Sequence, residues 1–476
     1  MAPAPTNSPK TIHFISLGCP KNRVDSEVML GVAQQSQFTV VDDADQAEVV
    51  VVNTCGFIGE AKKESIDTIF EMAELKKHGV LKKLVVTGCL SQRYPEELSL
   101  EMPEVDHFLG SSDMLKLGKV LEGDAARMLV GNPADWVIRA SDPRVVTDSR
   151  TSAYLKIAEG CNRTCSFCTI PQFRGKQRSR TADDIVREAE QLIAGGVREI
   201  NVISQDTIAY GRDLPKDARS DLATVARRIA DLPDVRWVRL FYLYPETIDE
   251  ALIDVLANHP KVVPYVDMPL QHAADAMLKR MRRGHGKDRQ KRVVERLRAA
   301  IPNLTFRTAF IVGHPGETDA EFQELYDFIE WARFEHVGVF RYSDEETCES
   351  HGFDAKVKPL VVSNRHRRVM ALQRRIARAA NQALIGRELE VLVEGESEEH
   401  DFVMKGRHPG QAPEIDGQVF LSGGEAHPGE FRRVRISQAS DYDLVGELID
   451  ETTGAPPPPR AKRVNLKVLT SREHAG

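Results

Sequence analysis

Six of the seven cysteines in this 476-residue chain form two sets of three, and each cysteine set follows apolar runs of strand length. One such run is Tyr154-Leu-Lys-Ile-Ala-Glu-Gly160, which leads into Cys161-Asn-Arg-Thr-Cys165-Ser-Phe-Cys168. A Cys-x3-Cys-x2-Cys spacing is one thiolate short of the four that normally hold a [4Fe–4S] cube, so one iron would stay open. Zinc sites more often repeat a Cys-x2-Cys pair, although zinc and plain structural thiols both remain open on spacing alone. The other set, Cys19, Cys55 and Cys89, is too scattered for a local motif. Each member nevertheless has the same setting. Residues 11–17 read as a strand ending at Gly18-Cys19, 47–53 as a buried strand ending at Thr54-Cys55, and 83–87 as one ending at Gly88-Cys89. Helical patterns follow over 26–36 and 59–78. Alternating strands and helices imply a parallel sheet whose C-terminal edge gathers the loops, so the three cysteines are expected to be neighbours. Two cubane sites, each with an open iron, suit substrate chemistry; an electron carrier would favour full ligation.

The length is that of two to four domains, and 41% apolar residues suffice for real cores. No apolar stretch reaches the roughly 18 residues of a membrane span, and residues 2–9 lack a signal-peptide core. A soluble, cytoplasmic chain with no membrane partner is expected. Seven cysteines are too few for a disulfide scaffold, and a net charge of −7 argues against a surface that grips nucleic acid throughout.

The central cysteine motif resembles the signature of the radical S-adenosylmethionine (SAM) superfamily. Ser16-Leu-Gly-Cys-Pro-Lys-Asn22 with Val24-Asp-Ser-Glu27, Asn53-Thr-Cys-Gly-Phe-Ile58 and Thr87-Gly-Cys89 resemble the N-terminal domain of the methylthiotransferases, and Arg174-Gly175 and Ser179-Arg180 match the same family. The resemblance runs from about residue 11 to 449. Within it, Gly18-Cys-Pro-Lys-Asn22, Leu243-Tyr-Pro245, Met268-Pro-Leu-Gln-His272 and Ala412-Pro-Glu-Ile-Asp-Gly417 are similar to the branch that modifies a ribosomal protein rather than the tRNA-modifying MiaB branch. His314 departs from the family, which usually has Phe there, and Cys348 replaces a small residue.

From Tyr154 the alternation resumes six times, with strands expected over 154–158, 199–204, 236–242, 262–268, 305–312 and 336–341. Helical patterns fall at 182–194, 221–231, 248–257, 289–300 and 319–333. Six units are too few for a closed eight-fold barrel, so an open (βα)6 partial barrel is expected, with its site at the strands' C-terminal ends. Gln205, Asp206, Gln271, His272 and the loop from Gly313 to Glu317 collect there. A helix over 363–384 carries Arg365, Arg367, Arg368, Arg374, Arg375 and Arg378 opposite an apolar stripe of Val369, Leu372 and Ile376, and reads as a linker with a solvated arginine face. Five short alternating segments between 387 and 449 indicate a small antiparallel β-barrel, which resembles the TRAM domain. That stretch holds fourteen Asp or Glu against six Lys or Arg, a balance that favours a basic protein partner over RNA.

The expected α/β organisation is therefore 1–9 disordered, 10–140 an N-terminal parallel α/β domain with the auxiliary cluster, 141–384 the radical SAM core with its linker helix, 385–450 the TRAM-like barrel, and 451–476 a disordered tail. The resemblance implies two [4Fe–4S] clusters and SAM as cofactors. Cys161, Cys165 and Cys168 would hold the radical-generating cluster, and Cys19, Cys55 and Cys89 an auxiliary cluster that carries sulfur. It further implies that Phe167, Gln205 and Gly313 contact SAM. The activity it implies is methylthiolation of an aspartate β-carbon in small ribosomal subunit protein twelve, with an electron donor and a sulfur donor as further partners. A tRNA-adenosine methylthiotransferase and an iron–sulfur scaffold or electron carrier are the alternatives.

Overall fold

A computed structural model describes residues 10–79, 81–147, 151–397, 403–450 and the backbone of 467–469. The first sheet is built from β1 (Thr11–Leu17), β2 (Thr39–Val40), β3 (Val49–Thr54), β4 (Lys83–Gly88), β5 (His107–Leu109) and β6 (Met128–Leu129). All pair in parallel, in the order β2-β1-β3-β4-β5-β6. The run Val49-Val-Val-Val is buried on both faces, as a central strand in a helix-covered parallel sheet requires. Three helices follow these strands: α1 (Pro20–Gln35), α2 (Gly59–His78) and α3 (Cys89–Arg93). The first begins six residues before the expected start, because Pro20 pre-sets its first turn and the polar Lys21-Asn-Arg23 segment is buried against other parts of the chain.

The second sheet contains β7 (Ser152–Lys156), β10 (Glu199–Ile203), β11 (Trp237–Leu240), β12 (Val262–Asp267), β13 (Thr305–Val312) and β14 (His336–Arg341). They too are parallel, in the order β14-β13-β12-β11-β10-β7, which is the open six-unit barrel. Between the first two, β8 (Ala158–Glu159) pairs antiparallel with β9 (Arg178–Ser179) and ties off the base of the central cysteine loop. One hydrophobic cluster joins Phe14, Val28 and Val51 of the first sheet to Tyr154, Ile203, Phe241 and Tyr265 of the second. The N-terminal unit thus covers the inner face of the open barrel, and the two sheets share a core.

Pro359–Gln382 forms the linker helix, with Val369, Leu372 and Ile376 buried as expected. Arg365 does not lie on a solvated face. It is buried, with its guanidinium 2.7 Å from both Glu317 and Asp319, because the helix packs over the loop after β13.

The C-terminal barrel closes through β15 (Glu388–Glu396), β16 (Met404–Arg407), β17 (Val419–Ser422), β18 (Phe431–Ala439) and β19 (Leu444–Leu448). Its pairs are antiparallel except β17 with β19, which run parallel because β18 crosses over between them in sequence. Residues 401–402 of the expected second strand lie outside the described residues. The acid excess is spent partly inside the molecule. Glu388 pairs with Arg433 and Arg435, Glu390 with Arg236, Glu394 with Arg407, and Asp441 with Arg374 and Arg378. Glu396, Glu425 and Glu447 face solvent.

The tail expectation changes at one place: β20 (Lys467–Leu469) adds in parallel to β1, with Ser16 opposite Val468. The other residues beyond Asp450, like residues 1–9, lie outside the described residues.

Candidate active site

Register brings the first cysteine triad together. Ser16 lies beside Asn53 and Thr54 beside Gly88, so Cys55 and Cys89 leave the sheet at one level and Cys19 one residue farther on. Gly18 and Gly88 precede Cys19 and Cys89 with φ of +89° and +100°, a region that L side chains avoid. A Cβ on Gly18 would stand 2.8 Å from the Cys55 Cβ and 3.1 Å from its sulfur, so the chain passes tightly over Cys55. Polar side chains lock these loops. Asn22 donates to the Leu17 and Thr54 carbonyls at 3.0 and 2.9 Å, Asn53 donates to the Asn22 carbonyl at 2.8 Å, and the Cys55 amide donates to Ser65 at 3.0 Å.

The second triad follows β8 at the C-terminal mouth of the open barrel. Gly160, with φ of +84°, donates its amide to the Gln205 side chain at 2.9 Å, and the Cys161 amide donates to the Gly175 carbonyl at 3.1 Å. Ser166 pins the loop by donating its hydroxyl to the Arg280 carbonyl at 2.8 Å and accepting the Ser350 amide at 2.9 Å. Arg163 donates to Asp206 at 2.6 Å and Glu246 at 3.1 Å and stacks on Tyr244, while its own amide points at the Cys161 sulfur at 3.4 Å.

Both triads fit a polynuclear iron–sulfur group. Burial pushes the Cys89 and Cys161 thiols up to about 11, with neighbouring cysteines adding to the shift, so three thiolates at either place need a cationic group among them. Among the described residues no three Cys, His, Asp or Glu side chains converge closely enough for one metal ion.

Phe167 and Gly313, two of the expected SAM contacts, lie on one side of the mouth. Phe167 packs on Ala274, Met277 and Met281 and meets His314 edge to face at 6.5 Å. Gly313 takes a φ of +84°, and its amide donates to Glu317 at 2.6 Å. Gln205, the third, lies on the Cys161 side, held by Gly160 and Glu159. His314 is buried among Phe167, Tyr342 and Phe353 and pushed down to about 4 by that burial, so it serves there as a neutral ring in place of Phe. Cys348 is a buried thiol in the loop 343–352.

Between the triads runs a buried ionic chain that sequence reading missed. Arg174 donates to the Cys89 sulfur at 3.1 and 3.3 Å, to Asp25 at 2.7 Å and to Glu159 at 3.4 Å. Lys156 holds the other side of Asp25 at 2.6 Å and also pairs with Glu159, which stands two residues before Cys161. Glu159 is thereby held at about 2, because Lys156 and Arg174 outweigh the burial that would raise it. Part of the signal was present: Lys156 is the one charge in the buried strand run Ala153-Tyr-Leu-Lys-Ile-Ala158, and such a charge must find partners. Lys21, beside Tyr242, is likewise buried, and that burial lowers it to about 8.

Family models match the chain at three places: the uncharacterized protein family UPF0004 over residues 11–110, the radical SAM superfamily over 155–329, and the TRAM domain over 385–449. The first two each enclose one triad. A Sorangium cellulosum (strain So ce56) protein, ribosomal protein uS12 methylthiotransferase RimO, is 68% identical over 97% of this chain and 98% of that one. This chain belongs to the RimO family of methylthiotransferases. A RimO of Myxococcus xanthus (strain DK1622) is 49% identical over 94% of this chain and 93% of its own length. Among solved structures, the radical SAM methyltransferase TsrM from Kitasatospora setae, with cobalamin and a [4Fe–4S] cluster bound, aligns at a TM-score of 0.51. It is 17% identical and covers 70% of this chain and 75% of that one, a likeness of fold. In this RimO chain the two cysteine-bearing units meet through Arg174, while the C-terminal barrel packs against the N-terminal ends of the central strands, Arg407 on Glu199 and Phe431 on Trp237.

Proposed function

We propose that this protein is a methylthiotransferase that places a methylthio group on the β-carbon of an aspartate in ribosomal protein uS12. Its cofactors are two [4Fe–4S] clusters and SAM. Bound together, they supply one-electron chemistry able to take a hydrogen atom from an unactivated carbon, and the sulfur that replaces it. The observation that carries this reading is the pair of three-cysteine sets at one mouth, joined through Arg174 and Glu159. Cys161, Cys165 and Cys168 hold the radical-generating cluster, and Cys19, Cys55 and Cys89 the auxiliary one. Arg174 fixes the Cys89 sulfur, and Gln205 fixes the turn at Gly160 that presents Cys161. Phe167, Gln205 and Gly313 line the place of SAM. The shared core between the two sheets closes the mouth from behind and keeps water from the reacting carbon. The solvent-facing Glu396, Glu425 and Glu447 of the barrel offer acid to a basic ribosomal protein, while an electron donor and a sulfur donor complete each cycle.

No helix among the described residues is long and apolar enough to cross a membrane. The test is to supply anaerobically reconstituted, reduced protein with SAM and, in parallel, uS12 and tRNA. Mass spectrometry should find added methylthio on the uS12 aspartate. Modification of tRNA alone would contradict the reading.

A further inference from the structure

Lys21 lies in the first turn of α1, two residues past Cys19, and its ammonium stands 2.9 Å from the centre of the Tyr242 ring. The residue is 7% exposed, and among the described residues its Nζ has neither a hydrogen bond nor an ion pair. A buried ammonium carries three N–H donors, and a ring face answers only one side of it. The carboxylates whose charge reaches it are already committed. Asp267 accepts from Arg307 at 3.2 Å and from the Tyr242 amide at 3.1 Å, while Glu159 is taken by Lys156, Arg174 and Gln205. Cys19, also within reach, belongs to the auxiliary triad. Tyr242 itself sits just past β11 with a φ of +58°, a strained setting for a bulky residue that is maintained by the hydrogen bond its backbone N–H donates to Asp267. The result is an ammonium with open N–H donors at the barrel mouth, beside the auxiliary triad.

We propose that Lys21 binds the side-chain carboxylate of the residue on which the enzyme acts, so that the adjacent β-carbon is held between the two cysteine sets. The assignment rests on the function proposed above and names its substrate-binding cation. A carboxylate supplies the charge-assisted hydrogen bonds that the buried ammonium lacks. A neutral amide of the same shape supplies no charge, so asparagine is rejected.

The test measures binding of uS12 loop peptides, carrying either Asp or Asn at the target position, to the cluster-loaded enzyme with SAM. The wild type should bind the Asp peptide at least about tenfold more tightly. Lys21→Met should erase that preference, and Lys21→Arg should keep part of it. Lys21→Gln is read as Lys21→Met is, should the methionine variant fail to retain its clusters. Equal binding of both peptides by the wild type, or a full preference in Lys21→Met, would overturn the assignment. A wild type that binds neither peptide would overturn the proposed function as well, a result distinct from either of these.

Discussion

Arg174 aims two N–H groups at the sulfur of Cys89, at 3.1 and 3.3 Å, from a helix that belongs to the other cysteine loop. The residue that follows the central motif therefore completes the surroundings of the first triad. Because Arg174 also reaches Glu159 at 3.4 Å, one guanidinium links the surroundings of the two cysteine sets.

Arg174→Gln removes both N–H···S contacts and strands Asp25 and Glu159 with less countercharge. Outer-shell changes of this kind typically cost about 10- to 100-fold in metal affinity. The expected outcome is selective loss of iron from the auxiliary site under chelator challenge, followed by iron analysis and electron paramagnetic resonance. Arg174→Lys keeps the charge without the fork and should fall between the two.

Gly18→Ala tests the approach over Cys55. The alanine would hold a left-handed conformation costing roughly 1–2 kcal/mol, and its methyl would press to 2.8 Å of the Cys55 Cβ. Auxiliary iron should fall while the Cys161 site keeps its own, as read by iron content and Mössbauer spectroscopy.

Cys165→Ala should abolish formation of 5′-deoxyadenosine from SAM on reduction. Cys55→Ala should retain that cleavage and make no methylthiolated product. Chromatography of the nucleoside and mass spectrometry of uS12 separate the two outcomes. Product from Cys55→Ala at the wild-type rate would refute the auxiliary assignment.

Acid should loosen the C-terminal barrel from the central sheet. Glu199, at the start of β10, accepts from Arg407 of the barrel at 2.6 Å and from Arg239 at 3.1 Å. Burial alone would raise this carboxyl, but the two guanidinium groups outweigh it and hold it at about 2 against an ordinary 4.5. Its folded value is depressed, so its contribution of roughly 3 kcal/mol is present above pH 4.5 and lost as pH falls from about 4.5 towards 2. Trp237 meets Phe431 of the barrel edge to face at 5.0 Å, so a red shift in tryptophan fluorescence should report the separation. Glu199→Gln should show the loosened state already at neutral pH, because it leaves Arg407 and Arg239 buried without their partner.

Much of this architecture was legible because period and burial agree. The strands Thr11–Leu17, Thr305–Val312 and His336–Arg341 and the helices Gly59–His78 and Ala182–Ala194 begin and end where the apolar pattern does. Cysteines at the ends of adjacent strands needed only the rule that parallel sheets gather their loops at one edge. What local pattern could not convey were pairings between remote residues. Arg174 and Asp25 stand 149 positions apart, and Arg407 and Glu199 stand 208 apart. Arg365 looked solvated because five arginines of its helix share that composition, yet it alone turns toward Glu317. The acid count of the barrel likewise overstated its free surface, since opposite charges from the central unit and the linker helix answer several of its carboxylates.

The most direct test counts iron in anaerobically reconstituted protein and in two triple variants, one lacking Cys19, Cys55 and Cys89 and the other lacking Cys161, Cys165 and Cys168. Two cubes in the wild type and one in each variant are predicted, about eight and four irons respectively. About four irons in the wild type, unchanged when Cys19, Cys55 and Cys89 are removed, would contradict the account.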